Sequence, residues 1–422
     1  MTSTRPDITP SHGAIRAKYA VFLTFFLCGF VFASWAARIP LVMSIFSINS
    51  TQMGLFFLCA AAGSLTALII AGWITSRFSS AFTVMLSALV FSLGMGSVAV
   101  SALLPSQWLL GGGLFIFGFG FSLCDVAMNL EGTQVEQRLG YTIMPKLHAC
   151  FSFGTVTGAA CGALLEFLQV GFTLPLLPLL PLLPLLLLVI GAAVLLLWCS
   201  RRYLSAGTRY HVVEHTENQP QNNPFAAWLE WRTLAIGFTV LATSLLEGAA
   251  FDWLPLGVVT GFTLDGVEPA GWMGSMTLAL FVAAMTSMRW FGGLLIDKYG
   301  RVVVLRICTV LSITGLMIFG FSPNLSMALP GILLWGVGCA LGFPVGMSAA
   351  ADEPRHAASR IAVVVVIGYC SLLTGPPLLG FLANAFGVKN ALLLLVIPLC
   401  ISLLLVSKLR VVAPVKEATE KG

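Results

Sequence analysis

The chain has 422 residues, 58% of them hydrophobic and 9% charged, with a formal net charge of +5 and a mean hydropathy of +0.95. A soluble globular chain carries about 25% charged residues, so this composition excludes a water-soluble protein and turns most of the surface to lipid. At about 20 apolar residues per spanning helix, twelve helices and short loops use nearly the whole length and leave no room for a large soluble domain.

A polar tail, 1–17, comes first and lacks the basic, apolar, small-residue order of a cleavable signal peptide. Apolar runs at 18–45, 52–75, 81–104, 107–131, 146–170 and 173–200 predict six spans, which form a first bundle over 18–200. Within the sixth, prolines 175, 178, 181 and 184 predict a bent or irregular helix start, because proline removes a backbone donor. A polar loop rich in Asn, Gln, Glu and His occupies 201–229. Runs at 230–260, 269–295, 302–322, 326–350, 359–385 and 388–408 predict a second six-span bundle over 230–410, followed by a tail, 411–422.

Basic residues fix the expected orientation. With the N-terminus inside, that side collects Arg5, Arg16, Lys18, Arg77, Arg138, Lys146, Arg201, Arg202, Arg209, Arg232, Lys298, Arg301, Arg306, Arg355, Arg360, Lys408, Arg410, Lys416 and Lys421. The other side keeps Lys389. Such asymmetry predicts an inner membrane protein with both termini cytoplasmic, and it removes any reading of the +5 charge as a nucleic-acid signal. Ten cysteines scattered through apolar runs form no CxxC pair or zinc spacing, so they read as packing residues and no metal is expected.

The two bundles repeat one another. Gly72-Trp-Ile-Thr-Ser76-Arg77-Phe78 aligns with Gly293-Leu-Leu-Ile-Asp297-Lys298-Tyr299 at an offset of 221, and the same offset sets His148 on Tyr369 and Gly154 on Gly375. Parallel repeats of this kind describe the halves of one large transporter class.

Gly293-Leu-Leu-Ile-Asp297-Lys298-Tyr299-Gly300-Arg301, after the eighth span, resembles the G-x-x-x-D-(R/K)-x-G-R loop signature of the major facilitator superfamily. Gly300 permits the tight reversal, Asp297 can cap a neighbouring helix, and Lys298 and Arg301 can hold the loop at the anionic inner leaflet. After the second span the copy is worn, with Ser76 for Asp and Ser79 for Gly. Trp35-Ala-Ala-Arg38-Ile-Pro40, Asp125-Val-Ala-Met-Asn129, His148-Ala-Cys-Phe-Ser152-Phe-Gly154, Glu247-Gly-Ala-Ala-Phe-Asp252-Trp253 and Gly368-Tyr369 with Gly375-Pro376-Pro377 look like a bacterial branch distantly similar to fucose-type sugar/proton symporters, one that includes a rhizopine-cluster membrane protein. The resemblance implies an all-α membrane fold, alternating access around a central site, a monomer and no cofactor. It also implies that spans 1, 4, 7 and 10 line the cavity.

Ionisable groups inside a membrane cost several kcal/mol unless paired or hydrated, which makes Arg38, Asp125, Glu247, Asp252 and Arg289 candidates, with His148 beside them. Asp125 and Asn129 share a helix face. Asp125 suits a proton or a substrate hydroxyl, or else a polar clamp with Arg289 or His148. Glu247, in mid-span, is the first choice for proton coupling, while Asp252 is expected to pair with Arg38 as an outer gate. Arg289 is a cavity charge or a residue snorkelling to the interface. Trp35, Trp253 and Tyr369 can stack on a sugar ring, close a gate or simply pack. Glycines 111–113, 118, 120, 154, 158 and 162 let helices approach closely. The expected function is proton-coupled symport of a small polar, sugar-like solute. The alternative is a proton-driven exporter, favoured by the helix 5 glycines but lacking the antiporter proline and helix 4 basic residue. A membrane-embedded enzyme or sensor finds no catalytic motif or output domain.

Overall fold

The computed structural model describes residues 12–410 apart from 105, 140, 142, 172–181, 206–225, 264–268, 351 and 354–356. The two tails beyond these limits, prolines 175, 178 and 181, most of the central loop, and Arg5, Arg209, Arg355, Lys416 and Lys421 therefore lie outside the described residues.

Long apolar sequences without polar breaks satisfy every backbone group internally only as helices when lipid surrounds them, and among the described residues no strand occurs. The first span is broken into α1 (His12–Ala36) and α2 (Ile39–Phe46). Then come α3 (Ser50–Phe78), α4 (Ser80–Leu103), α5 (Gln107–Leu139), α6 (Met144–Gly171) and α7 (Leu183–Ser200). The second bundle holds α8 (Trp231–Gly261), α9 (Gly271–Tyr299), α10 (Arg301–Phe321), α11 (Leu325–Cys339) with α12 (Gly342–Ala350), α13 (Ala357–Phe386), and α14 (Val388–Leu393) with α15 (Val396–Leu405). Among the described residues, eleven of these units are long and apolar enough to cross a membrane, and α7 is a shorter apolar helix at the place of the sixth span. The protein is a multi-pass, all-α membrane protein of two six-helix bundles.

Odd-numbered spans start, and even-numbered spans end, on the side that carries both termini; the opposite face is the far side. Within the first bundle α1 packs on α6, and α5 on α3 and α4; within the second, α8 packs on α13 and α10 on α11. Small residues make the α1–α6 contact possible. A Cβ on Gly154 would lie 1.9 Å from the Phe26 carbonyl oxygen, so only glycine fits there. Between bundles, α6 meets α9 and α3 meets α13.

Candidate functional site

Inter-bundle contacts concentrate at the far side. Ser275 Oγ, in the second turn of α9, donates to the Ala37 carbonyl at 2.9 Å, and Thr51 Oγ of α3 donates to the Gly380 carbonyl of α13 at 3.4 Å. Backbones touch along this seam, since a Cβ on Gly54 would stand 2.7 Å from the Pro376 carbonyl oxygen. Trp253, 1% exposed, meets Phe57 edge-on across the seam with ring centroids 5.5 Å apart. Deeper in, Phe32 of α1 meets Phe251 of α8 at 5.0 Å and Phe121 of α5 at 5.5 Å. These aromatics roof the space beneath.

Asp125 lies one turn from Phe121, and Glu247 one turn from Phe251, both toward the termini side. These two acids thus sit just under the aromatic layer. Asn129 Nδ2 donates to the Asp125 carboxylate at 3.1 Å and to its own helix at the Asp125 carbonyl, 2.8 Å, so the shared face expected from their spacing forms. Tyr369 of α13 is within electrostatic reach of Asp125 from the other bundle. Arg289 of α9 forks onto Glu247 of α8 with hydrogen bonds of 2.9 and 2.7 Å, and its Nε donates to the Ala340 carbonyl at 3.1 Å. That carbonyl is available because the tenth span breaks between α11 and α12. The pair keeps about a quarter of each side chain exposed, 25% and 23%. His148, on the second turn of α6, is exposed, packs edge-on against Phe25 at 5.3 Å and lies within electrostatic reach of Arg289.

Several expected pairings do not form. Arg289 neither snorkels nor clamps Asp125; it binds Glu247. Arg38, 1% exposed, does not pair with Asp252, and neither of its terminal nitrogens has a hydrogen-bond partner. Glu166 of α6 lies within electrostatic reach of it. Trp35 is buried near this point. Asp252 instead faces a small cavity between α8 and α13.

Gly293, Asp297 and Lys298, expected in a loop, are exposed residues of the last turns of α9, and no side chain caps α10, so Asp297 does not serve that helix. Gly300 does adopt the expected turn, with φ 79°. Arg301 turns inward rather than outward. It is 9% exposed and donates to Asp352 through both terminal nitrogens, one at 2.8 Å, and through Nε to the Leu409 carbonyl. Arg232 joins the same carboxylate at 2.6 Å. Burial alone would raise the Asp352 carboxyl, but the hydrogen bonds and charges of Arg301 and Arg232 hold it below the ordinary aspartate value of 3.8.

The sequence candidates omit two acids. Glu166 crosses to the other bundle: a Cβ on Gly271 would stand 2.0 Å from its Oε1, and Ser275 Oγ donates to its Oε2 at 3.4 Å. Glu131, 0% exposed, accepts from the Ser205 hydroxyl at 2.7 Å and from the Leu204 amide. Both fall in predicted spans, but at their ends, where an acid is ordinarily solvated. The phenylalanine roof carried no signal, because aromatics in apolar runs are commonplace. A far-side cleft of about 440 Å3, with Asn49, Thr260, Asn384 and Lys389 on its walls, holds none of the candidates.

Known proteins resemble the chain along nearly its full length. The uncharacterized transporter y4wD of Sinorhizobium fredii is 30% identical over 86% of this chain and 89% of its own. An uncharacterized MFS-type transporter of Yersinia pestis is 28% identical over 90% and 94%, and membrane protein MosC of Rhizobium meliloti 26% identical over 89% and 86%. Among solved structures, a bacterial homolog of the human lysosomal transporter Spinster superposes with a TM-score of 0.70 at 14% identity, covering 96% of this chain and 100% of that one. The fucose:proton symporter of E. coli gives 0.60 at 15% identity, covering 94% and 99%. The profile described as Major Facilitator Superfamily matches residues 270–422. With its apolar helices in two bundles, and relatives of this extent, the chain belongs to the major facilitator superfamily of membrane transporters.

Proposed function

We propose that the protein carries a small polar, sugar-like solute by proton-coupled symport, with alternating access around the space between the bundles. The observation that carries this reading is the convergence, under the Phe32–Phe251 roof, of Asp125 and Asn129 from one bundle with Glu247, Arg289 and Tyr369 from the other. Charges inside a membrane are retained where they serve a pathway. Asn129 and Tyr369 offer hydroxyl-matching donors and acceptors, and the His148 ring borders the same space. Solved folds that the chain resembles include a nucleoside transporter and a fucose:proton symporter, both carriers of polar solutes.

With the termini side cytoplasmic, as the basic residues indicate, the closed far-side seam makes this an inward-facing state in the inner membrane. The bilayer then meets the outer helix faces, and one chain suffices to form the pathway. The test is uptake of a solute panel into proteoliposomes under an imposed inward proton gradient, comparing the intact protein with Asp125→Asn and Glu247→Gln. Gradient-driven accumulation that either variant abolishes supports symport. Gradient-driven depletion from preloaded vesicles turns the reading to export, and no movement of any solute removes it.

A further inference from the structure

We propose that the cavity between α8 and α13 at Asp252 binds the coupling cation, a single hydronium or sodium ion. The proposal rests on the reading of the chain as an ion-coupled carrier and moves the coupling site away from Glu247.

Three carboxylates lie on the pathway, and their surroundings differ. Glu247 already holds the Arg289 fork with two hydrogen bonds. A proton placed there would strand a guanidinium about three-quarters withdrawn from solvent, which is costly. Asp125 takes the Asn129 amide. Asp252 has neither a hydrogen bond nor an ion pair among the described residues, and no charged side chain comes within electrostatic reach of it. The charged and titratable groups on the elements around it are committed elsewhere or lie away from it. Glu247 and Arg289 bind each other, Lys389 of α14 donates to the Ser322 carbonyl at 2.9 Å, Tyr369 faces Asp125, and Arg38 lies within electrostatic reach of Glu166. A carboxylate within a span and without a counter-charge is costly, and taking up a cation removes that cost.

The cavity suits one. Its volume is about 20 Å3, bounded by Ser244, Gly248, Asp252, Ser371, Gly375 and Pro376 among others. That is room for one water-sized occupant. Oxygen is the available donor type. The Ser371 hydroxyl spends its hydrogen on the Gly368 carbonyl at 2.6 Å, so its oxygen presents only lone pairs to the cavity. Pro376 and Pro377, inside α13, lack the N–H groups that residues 372 and 373 would need, which frees carbonyls in the same stretch of helix. Interrupted helices that offer carbonyls beside a carboxylate are how transporters hold small cations.

The same wall is part of the gate. Pro376 lines the cavity on one side, and its carbonyl oxygen lies against Gly54 of α3 across the far-side seam. Charging or neutralising Asp252 therefore acts on the helix that closes the far side, without any contact to solute.

The test is thermal unfolding of the purified full chain in detergent, with sodium chloride titrated against choline chloride at pH 8, and separately with pH lowered from 8 to 6 in choline. Sodium binding raises the wild-type midpoint by several degrees. Asp252→Asn abolishes the rise, and Ser371→Ala weakens the apparent affinity about tenfold, since both remove an oxygen ligand. Hydronium binding gives no sodium response. Acid then stabilises wild type, stabilises Ser371→Ala only at lower pH because the hydronium loses an acceptor, and leaves Asp252→Asn unstabilised. Identical responses of wild type and Asp252→Asn to both cations overturn the site. In proteoliposomes, a protein that exchanges no solute defeats the transport reading itself. Normal exchange together with undiminished gradient-driven accumulation in Asp252→Asn defeats the cation site alone.

Discussion

The termini-side corners of the two bundles face the same task, tying a short helix–helix turn to a buried acid and to the chain segment that follows the last helix. They do it with opposite chemistry. At the offset of 221, Ser79 aligns with Gly300, Ser80 with Arg301 and Glu131 with Asp352. In the second bundle Arg301 and Arg232 converge on Asp352, and the segment after α15 supplies acceptors, the Leu409 carbonyl to Arg301 and the Lys408 and Arg410 carbonyls to Arg232. In the first bundle the arginine is a serine. The segment after α7 turns donors inward instead, the Leu204 amide and Ser205 hydroxyl to Glu131, and Ser205 Oγ accepts from the Ala81 amide. Backbone and hydroxyl donors stand where the other bundle has cations, because a buried carboxylate tolerates either but not neither.

This comparison breaks most visibly at Arg301. Arg301→Ala leaves Asp352 with Arg232 alone and is expected to cost about 3 kcal/mol of stability, near the low end for opening a buried pair. A thermal-melt series in detergent measures it, and a loss no larger than that of a surface arginine would mean the ion pairs are incidental. Next comes Glu131→Gln, expected to cost about 2 kcal/mol because one charge-assisted acceptor becomes a donor facing donors. Equal losses at the two corners would show the hydroxyl-built corner to be as strong as the ionic one.

The turns sharpen the contrast in the other direction. Ser79 holds φ 98° and ψ 157°, a region that suits glycine, while Gly300 holds φ 79° and ψ 150° without a side chain. The Ser79 hydroxyl recovers part of the strain by accepting from the Phe82 amide at 3.3 Å. Ser79→Gly is expected to gain about 1 kcal/mol, read as a higher melting midpoint; a loss would mean the cap outweighs the strain.

The smallest effect at neutral pH is the titration of Asp352. Its carboxyl is held below 3.8, so its contribution is fully present above that value and disappears as pH falls through the lower folded value. The acid limb of the stability profile should therefore flatten in Asp352→Asn. An unchanged acid limb would detach the arginines from this carboxylate.

Much of the fold could be read from the chain because lipid leaves few options. Long apolar runs must be helices, and their rank, the repeat at 221 and the loop after the eighth span point to the superfamily. The Asp125–Asn129 pair was legible too, since four residues on a helix is a contact. Pairings between helices were not. Arg289 to Glu247, Glu166 to the start of α9, and Arg38 with no hydrogen bond at its terminal nitrogens among the described residues all depend on helix rotation and on which side of the protein is closed.

Sequence alone thus determined the solvent, the helices, the duplication and the set of charges in the spans, all of them consequences of local composition and spacing. Tertiary structure alone decided which charge meets which, that Phe32 and Phe251 roof the polar space, and that Asp252 faces a small cavity rather than an arginine. Those outcomes turn on close packing between segments far apart in the chain, where a shift of one helix turn exchanges every partner.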